Sequence, residues 1–286
     1  MAPEDVRCVL VKIHGIGQQT ANWHQEFDQA LDSALSGLSP EQRGRFVNES
    51  VWWADLSVLP VIGGVAHPTE LAKPTAAVDV SYGLVHRSYS NYLASGGDPA
   101  MGGTAAFGLP DPRTILMNLK DGTFSAADEA NDIANYVSNN GVRAQILDRL
   151  TEKLYAMHDT YPRATLILGS HSQGTMVSYD VLRLVCSRLT RLQIWVTMGC
   201  PLAWYVNNGK WGRDQLNVSS ELTWLNFYDV RDPVGKALAP LVSWAAPKPQ
   251  DVDVDNVGQG LHAHDHWHNP NVVRRYADLI RQELGD

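Results

Sequence analysis

The chain has 286 residues, 44% hydrophobic and 19% charged, enough for one large core or two smaller ones. Lysine and arginine total 23 against 31 acids, a formal charge of −8 at pH 7, so no broad basic surface is available for a phosphate backbone and nucleic acid is not an expected partner. Met1 to Arg7 carries acids where a secretion signal has a basic region, and the longest apolar stretches, near Val58–Ala66 and Ala237–Ala246, fall far short of a bilayer; a cytoplasmic protein with no transmembrane segment is expected.

In chain order, Val6–Ile13 is a β-branched run that breaks at His14-Gly15-Ile16-Gly17, the pattern of a buried strand entering a tight loop. Trp23, Phe27, Leu31 and Leu35 then recur at helical spacing between Asn22 and Leu38, with Asn22 as the expected cap. Val51-Trp52-Trp53 reads as a second strand. From Leu56 to about Pro112 the chain is rich in Gly, Pro, Ala and Ser without periodicity, so a single domain over 1–286 is expected to carry a cap or lid insertion at about 56–124. Helices are expected at Ser125–Ser138 and Val142–Thr160. Thr165–Gly169 is a compact buried strand, and Met176–Leu189 resumes helical spacing. Leu192–Met198 and Glu221–Tyr228 are further strands, a short one surrounds Val252 and Val254, and Asn271–Leu284 is an amphipathic helix. Strands alternating with helices predict an α/β fold, a mostly parallel central sheet covered on both faces. The three cysteines, Cys8, Cys186 and Cys200, have no metal-ligand spacing and read as buried thiols.

The residues with chemistry fall at strand ends. Ser172 lies between an apolar strand and a helix, flanked by Ser170 and Gly174 where a nucleophile elbow needs small residues. A serine hydroxyl is a poor nucleophile at neutral pH, so it needs a base, and the base needs an acid to fix its tautomer. Asp232, in the turn after the Glu221–Tyr228 strand and before Pro233, is the candidate acid, with Asp229 as its competitor. The candidate base comes from Leu261-His262-Ala263-His264-Asp265-His266-Trp267-His268: His264 first and His262 in reserve, with His266 and His268 lining the start of the last helix. Backbone N–H groups of Gln173 and of Ile16 or Gly17 are the candidate oxyanion donors, and His14 is read as holding their loop.

These residues resemble the α/β-hydrolase superfamily, specifically its lipase- and esterase-like members with an HGIG loop after the first strand. Six segments carry the resemblance: Val11 to Gln18, Asp132 to Tyr136, His171 to Gly174, Met198 to Leu202, Asn226 to Val234, and the region from Val254 to Trp267. It implies Ser172 as nucleophile, Asp232 as acid, a histidine of the 262–266 cluster as base, and the HGIG loop as oxyanion contributor, in the order Ser, Asp, His. Serine stands at 170 where the family has glycine. The implied activity is hydrolysis of a carboxylic ester through an acyl-enzyme without a cofactor, and the apolar segments Val58–Val65 and Leu84–Leu93 point to a medium-chain or lipid acyl group. Nothing in the sequence sets the oligomeric state.

Two readings from other classes stand beside this one. His262, His264, Asp265 and His266 superficially match an HxHxDH metal-ligand set, giving a metal-dependent hydrolase, although Asp265 follows His264 one residue too soon. Asp251, Asp253 and Asp255 alternate as in a calcium loop, but valines intervene and no glutamate closes twelve residues, so an acidic outer strand face is the better account. The other rival is a catalytically inactive hydrolase fold used as a binding module. Of the nine tryptophans, Trp52, Trp53, Trp195 and Trp224 are assigned to the core rather than to ligand stacking.

Overall fold

Cys-Val-Leu-Val-Lys-Ile is buried at all six positions, and its side chains alternate between two separate cores. Val9, Val11 and Ile13 face one, Cys8 and Leu10 the other. This strand can therefore only be central, with helices on both faces. The structure is a computed structural model and describes residues 2–15, 19–57, 136, 140–184, 189–203, 221–232, 234–239, 247–256 and 261–286.

Among these, six strands form one parallel sheet: β1 (Cys8–Ile13), β2 (Phe46–Val51), β3 (Thr165–His171), β4 (Leu192–Met198), β5 (Thr223–Tyr228) and β6 (Pro249–Asp253). Their order is β2-β1-β3-β4-β5-β6, with every pairing parallel. The helices are α1 (Gln25–Ala34), α2 (Pro40–Gly44), α3 (Ala54–Ser57), α4 (Asn140–Thr160), α5 (Gln173–Leu184), α6 (Leu261–His264) and α7 (Pro270–Leu284). On one face α4 and α5 close over Val9, Val11, Leu166, Leu168 and Trp195. On the other, α1 and α7 close over Leu10, Ile167, Ile194, Val196 and Phe227. Each such aliphatic or aromatic side chain contributes roughly 1.5–3 kcal/mol when fully buried.

α7 shows the local logic of these elements. Asn269 accepts a hydrogen bond from the Asn271 N–H at 2.8 Å, Pro270 opens the helix, and Gly285 ends it in the left-handed conformation at φ 77°. Its buried stripe, Val272, Val273, Tyr276, Ala277, Ile280 and Leu284, follows the helical period.

Several elements differ from expectation. The second strand is Phe46–Val51, not Val51–Trp53, because Asn48, Glu49 and Ser50 interrupt the apolar pattern on this edge strand; Trp53 instead packs in the turn that leads into α3. α1 begins at Gln25 with His24, not Asn22, at the position before it, and the His24 side chain makes no capping hydrogen bond. β4 carries a bulge where Leu166 pairs with Leu192 but Ile167 pairs with Ile194. The extra residue, Gln193, sends Leu192 to one core and Ile194 to the other, although residues two apart in a regular strand share a face. Trp53, Trp195 and Trp224 are core, while Trp52 is half-buried and donates its indole N–H to the Gln19 carbonyl at 2.6 Å.

Lys12 carries no signal in the sequence pattern. Its ammonium is fully buried and faces Asp28 of α1 at 2.7 Å, with Asn48 as a further partner. Cys8 and Cys200 are buried free thiols, with burial pushing Cys200 up to about 12. The expected insertion, except Leu56 and Ser57 of α3, lies outside the described residues, as do Ile16, Gly17, Pro233, Cys186, and the 125–138 helix apart from Tyr136. No helix among the described residues is long and apolar enough to cross a membrane.

Candidate active site

Register sets where the strands end together. Ile13 pairs with Ser170, His171 with Met198, Met198 with Phe227, and Tyr228 with Asp253, so the five carboxyl ends form one rim. In a parallel sheet of this order the chain passes from β2-β1 on one side to β3 and onward on the other, so the switch point, where such sheets bind ligands, lies beyond the carboxyl ends of β1 and β3. Ser172 leaves β3 at that switch point and is itself buried.

Ser172 has φ 51°, a left-handed conformation that costs a non-glycine residue roughly 1–2 kcal/mol. The turn is held from three sides. Ser172 N–H donates to the Met198 carbonyl at 2.9 Å, and the Ser172 carbonyl accepts from the Thr175 N–H at 2.9 Å and hydroxyl at 2.6 Å. Close backbone approach explains the small residues around it. A Cβ at Gly174 would overlap the His14 carbonyl and reach the Ile13 carbonyl at 3.0 Å, and one at Gly15 would lie 2.6 Å from Ser172 Cβ. Ser170, the small residue on the other side of the turn, has its hydroxyl satisfied: it donates to the Val196 carbonyl at 3.1 Å and accepts the Trp195 indole N–H at 3.0 Å.

The loops after β5 and β6 bring Asp232 and His264 together. Asp232 is fully buried, and its two carboxylate oxygens lie 3.1 and 3.0 Å from His264 Nδ1. Burial alone would raise the Asp232 pKa, but the facing His264, His266 and the Val234 N–H hold the carboxyl below its ordinary value. An acceptor carboxylate fixes the His264 tautomer with its proton on Nδ1 and leaves Nε2 with a lone pair. Asp229, the competing acid, is engaged elsewhere. It accepts from the Arg231 guanidinium at 2.8 Å and from the Asn256 backbone, while Asn256 Nδ2 donates to the Ala263 carbonyl at 2.5 Å. Asp229 thus ties the β5 loop to the segment that carries His264. His262 is exposed, and His268 pairs with Asp265 at 2.7 Å, which raises its pKa.

His171, next to Ser172, has no role in the sequence reading. Its ring lies 4.7 Å from that of His264 and 5.6 Å from that of His266, centroid to centroid. One potential ligand atom from each of His171, His264 and His266 falls within 4.8 Å of the others. This trio differs from the ligand set read from sequence, in which His262 and Asp265 took part. Burial, reinforced by the neighbouring imidazoles, depresses His171 well below its ordinary value and His266 to about 4. No hydrogen bond joins Ser172 Oγ to His264; such contacts often tighten only around a substrate.

Gly199, at the end of β4, lies against two of the imidazoles. It has φ 54°, and a Cβ there would sit 2.6 Å from His264 Cε1 and 3.0 Å from His171 Nε2. Gln173 opens α5, so its backbone N–H stands at the N-terminal end of that helix, next to Ser172. His14 is buried against Trp53, with centroids 4.8 Å apart and planes 6° from parallel. Its Nε2 accepts the Trp53 N–H at 3.1 Å, its Nδ1 donates to the Gly15 carbonyl at 2.7 Å, and burial lowers its pKa to about 4. This keeps the Gly15 backbone beside Ser172. The three alternating acids bind protein groups: Asp251 accepts from the Leu238 and Ala239 N–H groups, Asp253 from the Asp255 N–H, and Asp255 from Arg231. No protein-family model matches the chain, and no curated protein matches it.

Proposed function

We propose that this chain is a serine hydrolase with an α/β-hydrolase core, cleaving carboxylic esters through an acyl-enzyme on Ser172. The observation that carries the reading is the strained strand-to-helix turn at Ser172, on the same rim as an imidazole that faces both oxygens of a buried carboxylate. Strand order, the Ser, Asp, His order and the loop at His14-Gly15 support it. His264 Nε2 takes the Ser172 proton as Oγ adds to the ester carbonyl carbon, and Asp232 stabilises the resulting imidazolium. The Gln173 N–H, and a second from Ile16 or Gly17, would hold the oxyanion, each removed donor costing roughly 3 kcal/mol of barrier. Collapse expels the alcohol, which takes the proton from His264. Water then attacks the acyl carbon, passes a proton to His264, and the acid leaves as Ser172 Oγ regains it. A medium-chain or lipid acyl group is the substrate class this reading takes, on the apolar stretches at 58–65 and 84–93.

The test is labelling by a fluorophosphonate, followed by peptide mass spectrometry, with turnover of p-nitrophenyl esters from acetate to laurate. One adduct at Ser172 and loss of both signals in Ser172→Ala are expected; unchanged hydrolysis in Ser172→Ala would end the proposal. The three-imidazole cluster favours a metal-dependent hydrolase as the second reading. It requires that a chelator abolish turnover and that zinc restore it.

A further inference from the structure

The carbonyl oxygen of His264 is surrounded by donors. His171 Nε2 lies 2.7 Å from it and His266 Nδ1 lies 2.9 Å from it. The His266 backbone N–H also reaches it at 3.0 Å, in a tight turn. A carbonyl only accepts, so both ring nitrogens must carry hydrogen. Each ring has thereby one tautomer available: His171 protonated at Nε2, His266 at Nδ1. The second nitrogen of His266 is buried with no hydrogen-bond partner among the described residues, so protonating it would place an uncompensated charge in the interior. Asp232 Oδ2, 4.0 Å from the other nitrogen of that ring, is already engaged by His264.

We propose that His171 and His266 are positioning residues that clamp the peptide carbonyl of His264 from two sides, so that Asp232 holds the ring of the base while these two hold its backbone. The clamp deepens the hydrolytic reading and rests on it for its catalytic consequence. Of the three clustered imidazoles, only His264 keeps a lone pair on a nitrogen left for proton transfer while its other nitrogen faces a carboxylate. The two neighbours stay neutral around it, their charged forms disfavoured by burial. A divalent cation on the cluster would need ring nitrogens as acceptors and would break the clamp.

Side-chain length gives the test its selectivity. The amide nitrogen of glutamine reaches where a histidine Nε2 sits, and that of asparagine where Nδ1 sits. His171→Gln and His266→Asn therefore retain the donor, whereas His171→Leu and His266→Leu remove it. With the fold checked by near-ultraviolet circular dichroism, each leucine variant is expected to lose ten- to one-hundredfold in kcat on p-nitrophenyl butyrate with KM changed less than threefold. The matched amides are expected to recover to within about threefold of the parent, and the swapped pair, His171→Asn and His266→Gln, to stay low. Equal loss in matched and swapped variants overturns the clamp. Long-range proton–nitrogen NMR of the parent reads the tautomers independently of any activity: His171 protonated at Nε2 and His266 at Nδ1 between pH 6 and 8 is expected. The opposite tautomer at either ring, or loss of these ring protons on titration with zinc alone, also overturns it. Failure of the hydrolytic reading shows separately, as full turnover in Ser172→Ala.

Discussion

Gly199→Ala tests whether the His264 ring must stay where it is. The added methyl would lie 2.6 Å from His264 Cε1 and 2.8 Å from Nδ1, against an ordinary carbon contact of about 3.5 Å, so something must yield by about 1 Å. Gly199 cannot retreat, because Gly235 backs it so closely that a Cβ added there would come within 2.6 Å of the Cys200 nitrogen. The ring must move, and a shift of that size breaks an Nδ1 to carboxylate contact of 3.0–3.1 Å. Misplacing a reacting group by about 1 Å costs on the order of a hundredfold, so kcat/KM is expected to fall about 10²-fold, or about 2.7 kcal/mol of barrier. Stability should fall by about 2–4 kcal/mol, combining overpacking with the φ of 54°. Gly37→Ala, with nothing within 4 Å of its added carbon, serves as the control. Steady-state ester hydrolysis, fluorophosphonate labelling rate and urea denaturation give the three readouts. A folded Gly199→Ala protein with kcat/KM within threefold of the parent would refute the assignment of His264 as base.

Three other outcomes follow from the same geometry. Ser172→Gly should be more stable than Ser172→Ala by about 1 kcal/mol, because only glycine relieves a φ of 51°; equal urea midpoints would show the turn to be unstrained. Asp232→Asn should lower kcat by about 10⁴-fold with little change in KM, since the amide can donate to Nδ1 and favour the wrong tautomer; a loss below tenfold contradicts the assigned acid. His14 and His266 bind fewer protons folded than unfolded, each having a pKa depressed to about 4. Their stabilising contribution is therefore complete above pH 6.5 and lost as pH falls towards 4, at about 1.4 kcal/mol per pH unit for each. Urea midpoints between pH 7 and 4 should show this slope, with His266→Asn reducing it by one such increment; an unchanged slope counts against a buried neutral His266.

Much of the sheet was readable because its central strands are apolar on both faces. Cys8–Ile13, Thr165–Gly169 and Leu192–Met198 need no alternation to be recognised, since helices cover both sides of each. The edge strand β2 was displaced for the opposite reason. Phe46–Val51 is half-exposed over most of its length, so Asn48 and Glu49 are tolerated and the tryptophans just beyond drew the assignment forward. The bulge at Gln193 left no mark in composition, because a one-residue insertion changes which core a side chain enters without changing its type. Lys12 escaped for a related reason: a lysine within an apolar run gives no sign of the Asp28 and Asn48 that receive it, 16 and 36 residues away.

The site was legible where a local backbone demand selects residue type, and illegible where only distant contacts do. Ser172 sits between small residues because strand and helix backbones nearly touch, a constraint written within three positions of it. His264 stood first and His262 in reserve in the sequence; what separates them is register, which sets the β5 and β6 ends side by side so that the loops beyond them meet and His264, not the exposed His262, faces Asp232. His171 had no sequence signal for a role, and His266 was read as lining the last helix or as a metal ligand, because what both rings face is a backbone carbonyl, an acceptor every residue has. The serine at 170 shows the converse. A motif departure that weakens the match in sequence is absorbed in three dimensions by the Trp195 indole and the Val196 carbonyl. A glycine there would leave the buried Trp195 N–H without its acceptor, so the two residues act as a pair in which the indole supplies a donor to the Ser170 hydroxyl and the Val196 carbonyl receives its proton.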